Sequence, residues 1–311
     1  MKIVITGALG HIGSHLLRQL PKRFPEARID LIDNLMTQRF PSLFDLPSGP
    51  FRFVEADVTQ GDLNPLFANA NVVVHLAAIT DATGSVARAA EVEANNLRAT
   101  ENVANACADI GARLIALSST SVYGTSAQLV NEECGADELK PQSPYATTKL
   151  KEEALVQELA ASRGLKAAVF RFGTIFGVSP GMRFHTAVNK FCWQAATGSP
   201  ITVWRTAYEQ KRPYLDLGDA SRAIEYFIER NRFDGRVYNV LTLNATVRQI
   251  VDAIREFVPD LKVEFVDSPI MNQLSYEVSS ERFRSLGFEF SGDLRRAIGT
   301  TISLLRGVRR G

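Results

Sequence analysis

The 311-residue sequence contains no run of about 18 apolar residues, so no segment reads as a membrane-spanning helix. Its three cysteines, Cys107, Cys134 and Cys192, lie far apart and form no Cys-x-x-Cys pair. An odd, scattered set argues against a disulfide framework and against a zinc site, so no metal is expected. A surplus of either charge is also missing: 35 Lys and Arg against 34 Asp and Glu leave a formal net charge of +1. That balance gathers neither nucleic acid nor an anionic membrane, and neither is expected as a partner. Internal repeats and low-complexity tracts are absent. Met1-Lys2-Ile3-Val4-Ile5-Thr6 runs straight into glycines, without room for the apolar core of a signal peptide, and a reducing cytoplasm is the expected location.

What is present is a globular composition, 45% hydrophobic and 22% charged, on a chain longer than one typical domain. Short apolar runs at 2–6, 28–32, 52–55, 72–76, 113–117 and 166–172 alternate with amphipathic stretches at 14–20, 86–108 and 144–162. Runs without strict alternation suit strands buried on both faces. The pattern predicts an α/β fold with a doubly wound parallel sheet and right-handed crossovers. After Phe172 the rhythm breaks at Ser179-Pro180-Gly181 and Gly198-Ser199-Pro200, and apolar runs at 214–217 and 236–241 suggest a return to the sheet. The expected division is a sheet domain over 1–172, rejoined by 213–243, and a smaller discontinuous α/β lobe for substrate over 173–212 and 244–311.

Thr6-Gly7-Ala8-Leu9-Gly10-His11-Ile12-Gly13 follows the first strand and opens the first helix. Gly7 permits the tight turn, Gly10 lets backbone approach a pyrophosphate, and Gly13 allows close helix–strand packing. The helix N-terminus adds unpaired N–H groups for the anion. Asp33, at the end of the second strand, would accept from a ribose and repel a 2′-phosphate, which favours NAD over NADP in a Rossmann-type sheet. Asp57-Val58 and Leu76-Ala77-Ala78 follow the third and fourth strands, where such a sheet meets the adenine and pyrophosphate.

Tyr145-Ala146-Thr147-Thr148-Lys149 puts a phenol and an ammonium on one helix face. The cation is expected to stabilise the phenolate and depress the tyrosine pKa. Ser118-Ser119-Thr120-Ser121 sits just past the fifth strand, at the carboxyl end where such sheets bind ligands.

Together these features resemble the extended short-chain dehydrogenase/reductase family, in its nucleotide-sugar epimerase/dehydratase branch. Further matches are Asp33-Asn34-Leu35, His75-Leu76-Ala77-Ala78, Asn96-x-x-x-Thr100, Ser119-x-x-Val122-Tyr123-Gly124, Ser143-Pro144-Tyr145, Arg171-Phe172 and Arg212. The resemblance implies Tyr145 as acid/base on a sugar hydroxyl, Lys149 as its electrostatic partner and ribose ligand, and Ser119 as the orienting hydroxyl. It implies a cofactor site from Gly7, Gly10, His11, Ile12, Gly13, Asp33, Asn34, Leu35, Asp57, Val58, Leu76, Ala77, Ala78, Asn96 and Phe172. Substrate would meet Thr80, Ser119, Thr120, Ser121, Thr174, Asn189 and Arg212, the last two at the diphosphate, though Arg212 could instead serve a surface salt bridge. A homodimer through a four-helix bundle, built from the helices near 86–108 and 144–162, is also implied.

Four departures from the family pattern matter. Sugar 4,6-dehydratases of this branch follow the orienting hydroxyl with Asp-Glu, where this chain has Thr120-Ser121, so water loss is not expected. Thr174 replaces an asparagine, Thr206-Ala207-Tyr208 replaces Gly-Asp-Gly, and Glu277 stands where relatives often carry arginine. Met182-Arg183-Phe184-His185 could reach the sugar. The expected activity is an NAD-dependent nucleotide-sugar 4-epimerase with a 4-keto intermediate. The alternatives are a 4-dehydrogenase or 4-ketoreductase on the same scaffold, and a non-catalytic NAD-binding sensor.

Overall fold

A computed structural model describes residues 1–80, 89–124, 129–135, 137–267 and 275–308. The first half is a strand–helix alternation: β1 Lys2–Thr6, α1 His11–Arg23, β2 Arg28–Asp33, β3 Phe51–Glu55, α2 Asn64–Phe67, β4 Val72–His75 and α3 Ala89–Ile110. There follow β5 Arg113–Ser119, β6 Leu129–Val130, α4 Pro144–Arg163, β7 Ala167–Phe172, β8 Thr174–Phe176 and α5 Ala187–Ala196. The remainder is β9 Ile201–Trp204, β10 Lys211–Asp216, α6 Leu217–Arg230, β11 Val237–Val240, β12 Leu243–Thr246 and α7 Val247–Arg255. The chain ends in β13 Val263–Val266, β14 Glu277–Val278, α8 Glu281–Arg284 and α9 Leu294–Leu304. The expected helix start at Val86 lies outside the described residues.

The central sheet has seven parallel strands in the order β11-β7-β5-β4-β1-β2-β3. Apart from the edge strand β3, its strands are largely buried on both faces because helices cover both, which explains their continuous apolar runs. One face packs against α1 and α6 through Leu16, Leu17, Leu20, Ile224 and Phe227. The other packs against α3 and α4 through Ala99, Val103, Cys107, Val156 and Leu159. Strand order reverses between β1 and β4, so the crevice for ligands opens at the carboxyl ends of those two strands.

The return to this sheet is narrower than the sequence suggests. β11 joins it, but β10 pairs with β8 and antiparallel β12 in a separate three-stranded sheet. Tyr214 and Leu215 are buried there, so the burial that the sequence run implied is met by a different sheet. A distinct core of Phe176, Phe191, Tyr214, Ile250, Ile254 and Ile298 holds the second lobe together. No helix among the described residues is long and apolar enough to cross a membrane.

Candidate active site

β1 delivers Gly7 in the left-handed region at φ 67°, where a side chain is strained. A Cβ there would sit 2.6 Å from Ala77 N, so the glycine turn lies directly against the segment after β4. A Cβ at Gly13 would come within 2.4 Å of Ala8 O, and α1 can approach β1 only through glycine. Gly10 caps α1 with no side-chain hydrogen bond, so the helix entrance keeps its N–H groups for an anion.

Asp33 ends β2 beside this loop. Its Oδ2 accepts from Leu9 N and its Oδ1 from Leu35 N, both at 3.0 Å, which clamps the carboxylate at the mouth of a cavity. Gly7, Gly10, Asp33, Asn34, Asp57, Val58 and Leu76-Ala77-Ala78 line that cavity. Asp57 is held below the usual carboxylate range: burial opposes this, but the Thr59 N–H and hydroxyl and the Asn34 amide outweigh it.

A second cavity of about 290 Å³ continues from the first, sharing Gly7, Gly10 and the Leu76–Ala78 segment. His11, Ile12, Gly13, Thr80, Ser119, Ser121, Tyr145, Lys149, Phe172 and Thr174 line it. Tyr145 and Lys149 reach it from the first turns of α4. Ser143 starts that helix by accepting from Ala146 N at 3.2 Å, and Pro144 fits the first turn, where its missing N–H costs nothing. Lys149 Nζ lies 5.7 Å from the Tyr145 ring centroid. Ser119 Oγ accepts from Ser121 N at 3.1 Å and Ser121 Oγ at 2.9 Å, leaving its own proton to donate.

The tyrosine is not made acidic, contrary to the sequence expectation. Burial pushes the Tyr145 phenol above its ordinary pKa and outweighs the opposing pull of Lys149, while Glu152 adds to the rise. Lys149 itself is raised: burial acts against its charge, but Glu152 and Tyr145 more than compensate.

Several expected contacts are made elsewhere. Leu35 is absent from both cavities and serves through its N–H to Asp33. Asn96 accepts from Ile79 N at 2.8 Å and donates to Ile79 O at 2.9 Å, so it braces the segment after β4, and Asn95 lines the first cavity instead. Thr120 is 4% exposed and donates to Phe172 O, turning away from the cleft. Asn189 is fully buried; it accepts from Gly177 N and donates to Arg183 O, which holds the 177–183 segment rather than a diphosphate. Arg212 stacks over the Tyr276 ring at 5.1 Å and donates to Gln210 Oε1, outside the lining of both cavities. Glu277 pairs with Lys211.

Two arginines carry more than the sequence suggests. Arg183 lines both cavities and donates to Thr80, with His185 beside it in the second. Arg39 donates to Gly181 O at 2.7 Å and is lowered to about 10, by burial first and then by Arg183. Gly181 is the reason this segment reaches the glycine loop: a Cβ there would be 2.3 Å from Leu9 O. Ser179 Oγ donates to His11 O and Gly181 N donates to Ser14 Oγ, both at 2.9 Å. The Pro-Gly turn legible at 180–181 marked a bend; its docking partner lies about 170 residues away in sequence, beyond any local signal.

Paired cavities joined at a bare-backbone turn, with carboxylates at one end and a phenol and ammonium at the other, fit a dinucleotide lying across the β1/β4 switch point. The model of the NAD dependent epimerase/dehydratase family matches residues 3–240. A trifunctional UDP-glucose 4,6-dehydratase/UDP-4-keto-6-deoxy-D-glucose 3,5-epimerase/UDP-4-keto-L-rhamnose-reductase of Arabidopsis thaliana is 30% identical over 306 residues. The alignment takes in 92% of this chain and 44% of that protein, so the chain spans under half of that relative's length. A UDP-glucose epimerase of Bacillus subtilis (strain 168), itself uncharacterized, is 29% identical over 268 residues, 82% of each chain. Among solved structures, the UDP-glucuronic acid 4-epimerase from Bacillus cereus in complex with NAD superposes with a TM-score of 0.85 at 25% identity, over 98% of this chain and 99% of that one.

Proposed function

Because the chain belongs to the NAD dependent epimerase/dehydratase family, we propose that it is a 4-epimerase acting on a UDP-linked hexose or hexuronate. The observation that carries this reading is the makeup of the reactive cavity. Ser119, Ser121, Tyr145 and Lys149 converge on it, and no carboxylate is among its lining residues within the described part of the chain. Loss of water from a sugar needs a further acid and base, and the Thr120 and Ser121 hydroxyls do not ionise near neutral pH. Proton exchange at one hydroxyl is the chemistry this set supports. The UDP moiety is taken from the relatives named above.

NAD would be held by the glycine loop and the entrance of α1 at its pyrophosphate, by Asp33 at the adenosine ribose, and by Lys149 at the nicotinamide ribose. When bound, it supplies reversible hydride chemistry. Tyr145, as phenolate, takes the proton from the 4-hydroxyl and, as phenol, gives it back to the ketone. The α4 N-terminus and Lys149 stabilise the charge it carries before the first transfer and after the second. Ser119 donates to the same oxygen and keeps it within reach of the phenol. Thr174, Thr80 and His185 border the space beyond.

The test is to incubate the purified protein with UDP-glucose and UDP-glucuronic acid, follow products by NMR and follow NADH absorbance. Conversion to the 4-epimer without net NADH is expected, and Tyr145→Phe should slow it by at least about 100-fold. Net NADH accumulation would make the protein a dehydrogenase, and full turnover by Tyr145→Phe would refute the assignment. We infer further that two copies pair through the outer faces of α3 and α4. A solution mass of twice the chain is expected from light scattering, and a single-chain mass at micromolar concentration would refute it.

A further inference from the structure

Lys149 does not enter the cleft unaccompanied. Its Nζ donates to Glu152 Oε2 at 2.9 Å, and the two residues are 4% and 5% exposed. Thr100 Oγ1 on α3 donates to the same oxygen at 2.8 Å. A hydroxyl has one proton, so Thr100 must accept from His75 Nε2, 3.3 Å away, and Thr6 Oγ1 then donates to His75 Nδ1 at 2.7 Å. The chain from β1 through β4 and α3 is therefore oriented onto one carboxylate. The other oxygen, Oε1, is buried with no hydrogen-bond partner among the described residues.

Stability alone does not account for this group. A buried ion pair is often no better than apolar side chains of the same volume, and a half-satisfied carboxylate is worse. The neighbouring Glu153 already ties α4 to the sheet, with both oxygens engaged by Arg171 of β7. Glu152 meets the sheet only indirectly, through Thr100 of α3 and His75 of β4. Its reach is toward the reactive end of the helix.

Building on the role assigned to Tyr145, we propose that Glu152 is a positioning residue that acts through Lys149. It fixes one of the three ammonium donors, leaves two for the cleft, and offsets part of the positive charge that the Tyr145 phenol experiences. The charges around the pair bear this out. Lys149 and Arg183 favour the phenolate and Glu152 opposes it. His75, facing from β4, is pushed down to about 3 by burial and carries no charge near neutral pH. Arg171, facing from β7, is committed to Glu153. With its ammonium held by a carboxylate, the tyrosine keeps its proton to higher pH than one beside a lysine with no counter-ion, which favours the step in which it returns a proton to the ketone.

The experiment is a phenolate titration of the NAD-loaded protein by ultraviolet difference absorbance. The Tyr145 signal is isolated by subtracting the matching Tyr145→Phe protein. In Glu152→Gln the phenolate midpoint should fall by about one pH unit, and the rising limb of the pH–turnover profile should move with it. A midpoint that stays in place or rises would overturn the proposal. Should Glu152→Gln fail to fold, Glu152→Met removes the same charge and must show the same fall. Since the absorbance is read without turnover, loss of the epimerase reading would leave this result intact, and the reverse also holds.

Discussion

Arg171 and Glu153 offer the sharpest test of how the catalytic helix is held. Both are at most 5% exposed. Arg171 Nε meets Glu153 Oε1 at 2.9 Å and Nη2 meets Oε2 at 2.7 Å, a two-pronged pair between β7 and α4. The remaining Nη1 donates to Tyr123 Oη at 2.8 Å, and Ser118 donates to Glu153 Oε1. In Arg171→Met, the carboxylate would keep only Ser118 and stand charged in a low-dielectric interior. Removing one partner of such a pair typically costs about 3–5 kcal/mol, a large share of the roughly 5–15 kcal/mol that holds a domain together. Replacing both partners by apolar side chains of similar volume is often close to neutral. The expectation is therefore non-additive: each of Arg171→Met and Glu153→Met loses about 3–5 kcal/mol, while the double variant lies within about 2 kcal/mol of the wild type. Urea unfolding followed by circular dichroism supplies all four corners of the cycle. A double variant whose loss equals the sum of the two singles would refute the claim that the penalty is a stranded charge.

Acid should weaken the fold through its histidines. Burial first, and nearby cations second, depress His11 and His15 to about 4 and His75 to about 3. These groups fold neutral but charge near pH 6.5 when unfolded, so the unfolded state binds more protons below that pH. Their contribution is complete above about pH 6.5 and is lost as pH falls toward about 4, by on the order of 3 kcal/mol for each histidine. Denaturant unfolding at a series of pH values reads this slope, and an unchanged slope in His75→Asn would count against the assignment.

The glycine turn, Asp33 and the Tyr145–Lys149 pair were legible in the sequence because each depends on short-range geometry. A turn after a strand demands residues without a Cβ, and four positions along a helix bring side chains to one face. Departures at Thr120 and Ser121 were equally legible, since they replace one side-chain chemistry with another.

Where a side chain points, and how dry its surroundings are, came from contacts across the chain. Asn189 and Arg212 matched family positions, yet the first braces the 177–183 segment and the second stacks on Tyr276. The 214–217 run suggested a strand of the main sheet, but its residues in β10 pair with β8 and β12, because partner choice is set by tertiary packing. Glu152 lies in no motif, and its burial is set by α3 and β4 closing over it. The direction of the Tyr145 pKa turned on the same closure. Spacing put the ammonium beside the phenol, but the burial that outweighs it is a property of the assembled fold, in which distant segments remove water from both.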